Sequence, residues 1–252
     1  MCGVDLYDDL GVGYDLIINW ERRLARETPF YQGLFQRHGV RRLVDVGCGT
    51  GWHARLFAGW GLQVVGVDPS QAMLDAARQV TEGLPVALVR GGFEDLPLAS
   101  QPPFDAVVCL GNTLPHALTP QTRLAALRGF CHSLVPGGVC VVQTLNYDVI
   151  RATGERFQPL AQGTIAGREE LLLRMFDFGP ETWEFHILRF TRAEGSAWVF
   201  NPSSTRHLPV YGEEIASQLA AAGFSEVRLL GGFDQAPFDP HTSEMLLAVA
   251  VR

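Results

Sequence analysis

Basic residues are scarce and scattered in this 252-residue chain: Lys and Arg total 20 against 27 Asp and Glu, a net charge of −7, and they never run beyond pairs such as Arg41-Arg42. A nucleic-acid partner needs a stripe of positive charge to meet its phosphates, so none is expected. Long apolar runs are missing too. The longest stop well short of the roughly twenty residues a helix needs to cross a bilayer. Asp5, Asp8 and Asp9 stand where a secretory leader would carry basic residues. No membrane association is expected, and the implied setting is cytoplasmic. No C-x-x-C pair occurs among the five cysteines, Cys2, Cys48, Cys109, Cys131 and Cys140. An odd number without metal-ligand spacing argues against zinc or disulfides and for buried thiols in a reducing compartment. Length alone allows two small domains; one elaborated α/β domain with an insertion is the reading adopted.

What is present is organised around Arg42-Leu43-Val44-Asp45-Val46-Gly47-Cys48-Gly49-Thr50-Gly51. Leu43, Val44 and Val46 make a short apolar run that suits a strand buried on both faces. The glycines then let the chain turn tightly and approach a ligand without Cβ interference. Trp52 to Trp60 carries Ala, Arg and Leu at helical spacing, so the loop opens a helix whose free N–H groups and positive dipole end face the ligand. A dinucleotide-binding G-x-G-x-x-G would need its third glycine where Trp52 stands, which counts against a nicotinamide cofactor. Asp68 ends the next strand, Val64 to Asp68, roughly twenty residues past the loop, where a carboxylate can accept both hydroxyls of a ribose. Its plainer reading is a solvated strand end.

The pattern D-x-G-x-G-x-G followed by Asp68 resembles the class I S-adenosylmethionine-dependent methyltransferases. The resemblance implies S-adenosyl-L-methionine as cofactor and S-adenosyl-L-homocysteine as product, with Asp45, Gly47, Cys48, Gly49, Gly51, Asp68 and Pro69 around it. Ser70 should cap the next helix, with Met73, Ala76, Ala77 and Val80 as its buried face. Met73 then lies near the adenine or simply in the core. Strand three, Ala87 to Arg90, runs into Gly91-Gly92-Phe93-Glu94-Asp95-Leu96-Pro97, which is similar to the family's G-D-A-E-D-L-P. Gly92 stands where the family has an acid for the adenine amine, and Phe93 and Glu94 are the candidates to compensate.

Residues 1–39 read as helical, with Leu6, Leu10, Tyr14, Ile17 and Ile18 on one stripe and Phe30, Leu34 and Phe35 continuing after Pro29. The spelling Tyr14-Asp15…Asn19-Trp20-Glu21-Arg22-Arg23 is similar to the entry segment of the glycine and sarcosine methyltransferase group. That likeness implies a lid over the cofactor, with Tyr14 in it and Arg23 on the methionine carboxylate, which a guanidinium fork suits. The residues by themselves equally allow Arg23 to be an i,i+4 partner of Glu27 and the leader to cap the sheet edge.

Strand four, Phe104 to Leu110, ends in Gly111-Asn112-Thr113-Leu114-Pro115-His116. Ligands of open α/β sheets sit outside the carboxyl ends of the strands, so Leu110 and this turn face the reacting half of the cofactor. G-N-[ST]-x-x-H resembles the fourth motif of the glycine N-methyltransferase group and implies that Asn112 offers a donor and an acceptor to substrate. Asparagine beside glycine is also ordinary turn chemistry. His116 is either a proton acceptor or a hydrogen-bonded loop side chain. A helix over roughly Pro120 to Leu134 leads to Val135-Pro136-Gly137-Gly138, which resembles the family's L-x-P-G-G turn into strand five, Val139 to Leu145. Asn146-Tyr147-Asp148 again resembles the glycine and sarcosine enzymes and adds Tyr147 to the catalytic candidates.

From about 150 to 210 aromatic and polar positions alternate, Trp183, Phe185 and Ile187 against Glu184 and His186, which predicts a strand meander. The family places such an insertion over the acceptor pocket; the residues alone also allow dimerisation or sheet cover. Tyr211 to Gly223 is the last helix, and Phe224 to Leu230 with Met245 to Val251 a closing hairpin. The expected organisation is a lid (1–39), a cofactor core (40–149), a β insertion (150–210) and a last helix with hairpin (211–252). The expected fold is an α/β, Rossmann-like seven-stranded sheet of order 3-2-1-4-5-7-6, strand seven antiparallel, with helices on both faces. The implied reaction is methyl transfer to a small-molecule acceptor, an amine nitrogen first, by a monomer or homodimer and without a metal. Alternatives are O-methylation of a carboxylate or hydroxyl, and a catalytically silent cofactor-binding module. Leu145 stands where the glycine and sarcosine enzymes have an arginine before N-Y-D, so glycine should be a poor acceptor unless Arg174, Arg189 or Arg206 takes over.

Overall fold

The leader is not one helix but three pieces: α1 (Val4–Leu10), a 3₁₀ turn (Gly11–Ile17) and α2 (Trp20–Arg37). Asn19 causes the restart, its Oδ1 accepting from Arg22 N at 3.0 Å. Pro29 sits inside α2 without ending it, and Phe30, Leu34 and Phe35 are buried beyond it as the periodicity predicts. The computed structural model describes residues 4–96 and 101–252, so Cys2 and Pro97 lie outside the described residues.

The core then alternates β1 (Arg42–Val46), α3 (Trp52–Gly59), β2 (Gln63–Asp68), α4 (Gln71–Val80), β3 (Val86–Arg90), β4 (Phe104–Cys109), α5 (Pro120–Ser133) and β5 (Leu134–Leu145). Crossover helices let successive strands pair in parallel, and Val44 lies in register between Val65 of β2 and Val107 of β4. Ser70 caps α4 as expected, its Oγ accepting from Met73 N, and Leu74 rather than Val80 completes the buried face. The Val135-Pro136-Gly137-Gly138 stretch is not a separate turn. β5 starts at Leu134, opposite Phe104, and rejoins register with Val139 opposite Ala106, so the glycines form a bulge at the strand's head.

A helix the sequence reading omits, α6 (Tyr147–Thr153), follows directly. Asn146 starts it by accepting from Asp148 N and Val149 N. The meander consists of β6 (Ala161–Ile165), β7 (Arg168–Asp177), β8 (Trp183–Arg192) and β9 (Val199–His207), all antiparallel. Its inner face buries Leu172, Phe176, Trp183, Phe185, Ile187 and His207, and its apolar members pack into the cluster that holds Leu6, Leu10 and Tyr147. α7 (Gly212–Ala221), β10 (Ser225–Leu230) and β11 (Met245–Val251) close the chain. The large sheet runs β3-β2-β1-β4-β5-β11-β10 with β11 antiparallel to β5. With the four meander strands set aside, this is the 3-2-1-4-5-7-6 order that the family resemblance implies.

Among the described residues no helix is long and apolar enough to cross a membrane, and no group of His, Cys, Asp and Glu is arranged to hold a metal. Cys48, Cys109, Cys131 and Cys140 are buried free thiols.

Candidate functional site

A cavity of about 320 Å³ opens at the carboxyl ends of β1, β2 and β4, beneath the leader. The glycine loop forms its floor because its backbone is folded back on β2: Gly47 N and Cys48 N donate to Val67 O, and Gly49 N donates to Asp68 Oδ2 at 2.9 Å. Gly47 needs to be glycine twice over. Its φ is +73°, and a Cβ there would lie 2.2 Å from Thr113 Cγ2. Gly51, also left-handed, does not line the cavity. A Cβ on it would come within 2.9 Å of Ala77 Cβ, so it serves the close approach of α3 to α4.

Two carboxylates reach the floor. Asp45 is buried and its Oδ2 has no hydrogen-bond partner; burial, with Asp68 adding to it, pushes its pKa up to about 7. Asp68 is no solvated strand end. It is 7% exposed, accepts from Gly49 N and, through Oδ1, from Ser70 N at 2.9 Å, and burial outweighs those bonds to raise its pKa to about 6. Arg23 is the i,i+4 partner of Glu27 and also lines the cavity. Its Nε donates to Glu27 at 2.7 Å, one turn on, while the side chain lines the cavity and Nη2 donates to Gln143 Oε1 at 3.2 Å. Glu27 is buried between Arg23 and His53, whose Nε2 lies 2.7 Å from Glu27 Oε2.

Pro69, Met73, Gly92, Phe93 and Glu94 line one end of the cavity, and Leu110, Gly111, Thr113 and His116 the other. Tyr14, Cys48 and Gly49 complete the predicted residues found there. At the second end two of the catalytic candidates hydrogen-bond within the protein. Asn112 has a φ of +69° and its amide is already spent: Oδ1 accepts from Leu145 N at 3.1 Å and Nδ2 donates to Tyr147 Oη at 2.9 Å. Tyr147 is fully buried, with its Oη 3.0 Å from His207 Nδ1. Neither is among the residues that line the cavity. His116 alone of the three catalytic candidates reaches it. Its Nε2 lies 2.9 Å from Tyr7 Oη, its ring meets His207 edge-on at 4.6 Å, and burial lowers its pKa to about 4, which keeps it neutral.

Several wall residues escape sequence reasoning: Tyr7, Trp20, Thr50, His53 and Thr113. Gln143 escapes it too, although its Oε1 joins Arg23 to Gly111 N. Asp15 fastens the leader to the glycine loop by accepting from Trp20 Nε1, Thr50 Oγ1 and Trp52 Nε1 at 2.7, 2.7 and 3.1 Å. Thr50 and His53 are adjacent enough to the glycine loop to be suspected from it; nothing local marks Tyr7 or Gln143.

An unpartnered carboxylate, a second carboxylate at a strand end, a guanidinium and an apolar slot could together hold a nucleoside joined to an amino acid. Comparison with known proteins bears on what that ligand is. Residues 43–138 match a family described as "Methyltransferase domain". The glycine/sarcosine N-methyltransferase of Parasynechococcus marenigrum (strain WH8102) is 26% identical over 94% of this chain and 83% of its own length. That of Aphanothece halophytica is 31% identical over 56% of this chain and 54% of its own, so the chain spans about half of that relative. Among solved structures, the sugar N-methyltransferase KedS8 from Streptoalloteichus sp ATCC 53650 aligns at a TM-score of 0.74 over 100% of this chain and 94% of that one, a likeness of fold at 24% identity.

Proposed function

We propose that this chain, a class I S-adenosylmethionine-dependent methyltransferase by its domain and sheet order, methylates an amine nitrogen of a small molecule. When bound, the cofactor supplies a methyl group on a sulfonium cation. The residues fit that cofactor: the unpartnered Asp45 Oδ2 suits its ammonium, Arg23 its carboxylate, Asp68 its ribose hydroxyls. Pro69, Met73 and Phe93 offer the adenine an apolar slot, with Glu94 and the Gly92 backbone towards its amine. Leader residues 4–37 act as the lid, and the meander as a roof over the acceptor end.

The observation that carries the amine reading is the weak basicity of His116, whose pKa burial lowers to about 4. Leu110, Gly111, Thr113, Tyr7 and Tyr14 line the cavity with it, and none of them is a carboxylate that could deprotonate an alcohol. A neutral amine asks only for an aligned, desolvated lone pair, and such positioning can supply on the order of 7–11 kcal/mol of the barrier. The relatives named as N-methyltransferases support the same choice. Four free buried thiols suit a reducing, cytoplasmic setting. A transfer assay with pooled amines, phenols and carboxylic acids tests the reading. Methylated amines are expected; methylation of phenols or acids alone would make it an O-methyltransferase, and cofactor binding without any transfer would make it a silent binding module.

A further inference from the structure

Glu27 is a buried carboxylate on α2, and two side chains that line the cavity use up its oxygens. Oε1 accepts from Arg23 Nε at 2.7 Å, and Oε2 lies 2.7 Å from Nε2 of His53, in the first turn of α3. Glu27 is not among the lining residues, so any effect it has on a ligand passes through these two. Burial works to raise its pKa, but the bonds to His53 and Arg23 outweigh it and hold the group below its ordinary value, as a carboxylate.

A carboxylate can only accept, so the proton in the bond between Glu27 and His53 sits on Nε2 of the ring. Burial lowers the pKa of His53 against the pull of Glu27, and the imidazole is therefore neutral at neutral pH. Its second nitrogen, Nδ1, then holds a lone pair. Nδ1 has no hydrogen-bond partner among the described residues, and His53 lines the cavity together with Arg23, Asp45 and Thr50. The glycine-loop end of the cavity thus offers a neutral acceptor beside the unpartnered Asp45 Oδ2.

We propose that His53 Nδ1 accepts a hydrogen bond from the ammonium of S-adenosylmethionine, and that Glu27 is the positioning residue that makes this possible by fixing the tautomer of the ring. The inference rests on the cofactor assignment above and deepens it. An ammonium has three N–H donors, more than Asp45 Oδ2 takes. A neutral acceptor satisfies another of them without adding a third negative charge to a floor that already holds Asp45 and Asp68, two carboxylates whose burial opposes their ionisation.

Glu27→Gln separates this role from simple packing. Its amide oxygen still serves Arg23, which can only donate, so its NH2 faces His53 and imposes the opposite tautomer, with Nδ1–H turned on the ammonium. Nitrogen-15 NMR reads the tautomer, the His53 signal being the one that His53→Phe removes. Nε2–H is expected in the wild type and Nδ1–H in Glu27→Gln; Nδ1–H in the wild type, or no change in the variant, overturns the inference. Calorimetry reads the ligand side with three probes: S-adenosylhomocysteine, its analogue with hydrogen in place of the amino group, and 5′-methylthioadenosine, which lacks the amino-acid half. S-adenosylhomocysteine should bind Glu27→Gln and His53→Phe about tenfold or more weakly than the wild type, the effect of losing a hydrogen bond to a charged group, while the other two probes change by less than about threefold. Should Glu27→Gln not fold, His53→Phe carries the same comparison. Unchanged affinity for S-adenosylhomocysteine, or equal weakening of all three probes, overturns the inference and leaves the cofactor assignment standing. A wild type that binds none of the three would overturn both together. Neither measurement depends on which acceptor is methylated.

Discussion

Tyr7 Oη and His116 Nε2 lie 2.9 Å apart although 109 positions separate them in sequence, so the first helix of the leader touches the turn that follows β4. Such a bond contributes roughly 0.5–1.5 kcal/mol. Tyr7→Phe keeps the edge contact with Tyr14 and removes only the hydroxyl. Hydrogen exchange of residues 4–17 in the cofactor complex should then speed up by a few-fold to about tenfold, while cofactor affinity moves little. Unchanged protection would make the contact incidental and the leader a structural cap.

Ligand-free stability and cofactor affinity should respond to pH in opposite directions. Asp45 at about 7 and Asp68 at about 6 both lie above the range of an unfolded aspartate. Their favourable contribution to folding is therefore present in full below about pH 4 and is lost as pH rises through 6 to 7. A cationic ammonium beside Asp45 and ribose hydroxyls on Asp68 draw both values down again on binding. S-adenosylmethionine should thus bind more tightly from about pH 5.5 to 7.5 with release of protons, visible by calorimetry in two buffers of different ionisation enthalpy. A flat affinity across that window removes Asp45 from the site.

Asn112→Ala should behave as a folding variant. It leaves the Leu145 N–H without its partner, takes from the Tyr147 hydroxyl one of its two, and puts alanine at a φ of +69°, which asparagine tolerates better. A loss of about 2–4 kcal/mol follows, or a drop in Tm of roughly 5–15 °C in thermal melts. A variant with wild-type Tm and no turnover would return Asn112 to the reacting groups.

The parts of the site written in adjacent residues were readable: β1 with its glycine loop, Asp68 at the next strand end, Ser70 as a cap. Each signal is local, a β-branched run, a turn that excludes Cβ, a spacing of one strand. Arg23 could be half read, because its partner Glu27 is four residues away but its other partner, Gln143, arrives only when β5 is laid beside β4. Tyr7 reaches the site through packing of the leader, and His207 reaches His116 through packing of the meander, neither of which periodicity can align. The turn reading of Asn112 was also local: a glycine-asparagine pair at a strand end marks a left-handed turn, and its amide is hydrogen-bonded to Leu145 N and Tyr147 Oη.

Glycine and sarcosine should be poor acceptors. Leu145 has no charge to give their carboxylate, its N–H is held by Asn112, and Arg189 is committed to Glu170. Turnover of either at about 1 s⁻¹ or faster would show that another cation takes over the grip.

Asp15 joins the leader's Trp20 to Thr50 of the glycine loop and Trp52 of α3 through three acceptor bonds. On the proposed lid role, exchange of spent for fresh cofactor would break the Thr50 and Trp52 bonds together, whereas methyl transfer would break neither. The expectation is that departure, not chemistry, sets the clock of the cycle. Rapid quenching should reveal one fast round of methylation followed by a slower steady rate, the same for amines of unequal nucleophilicity. Asp15→Ala should erase that burst.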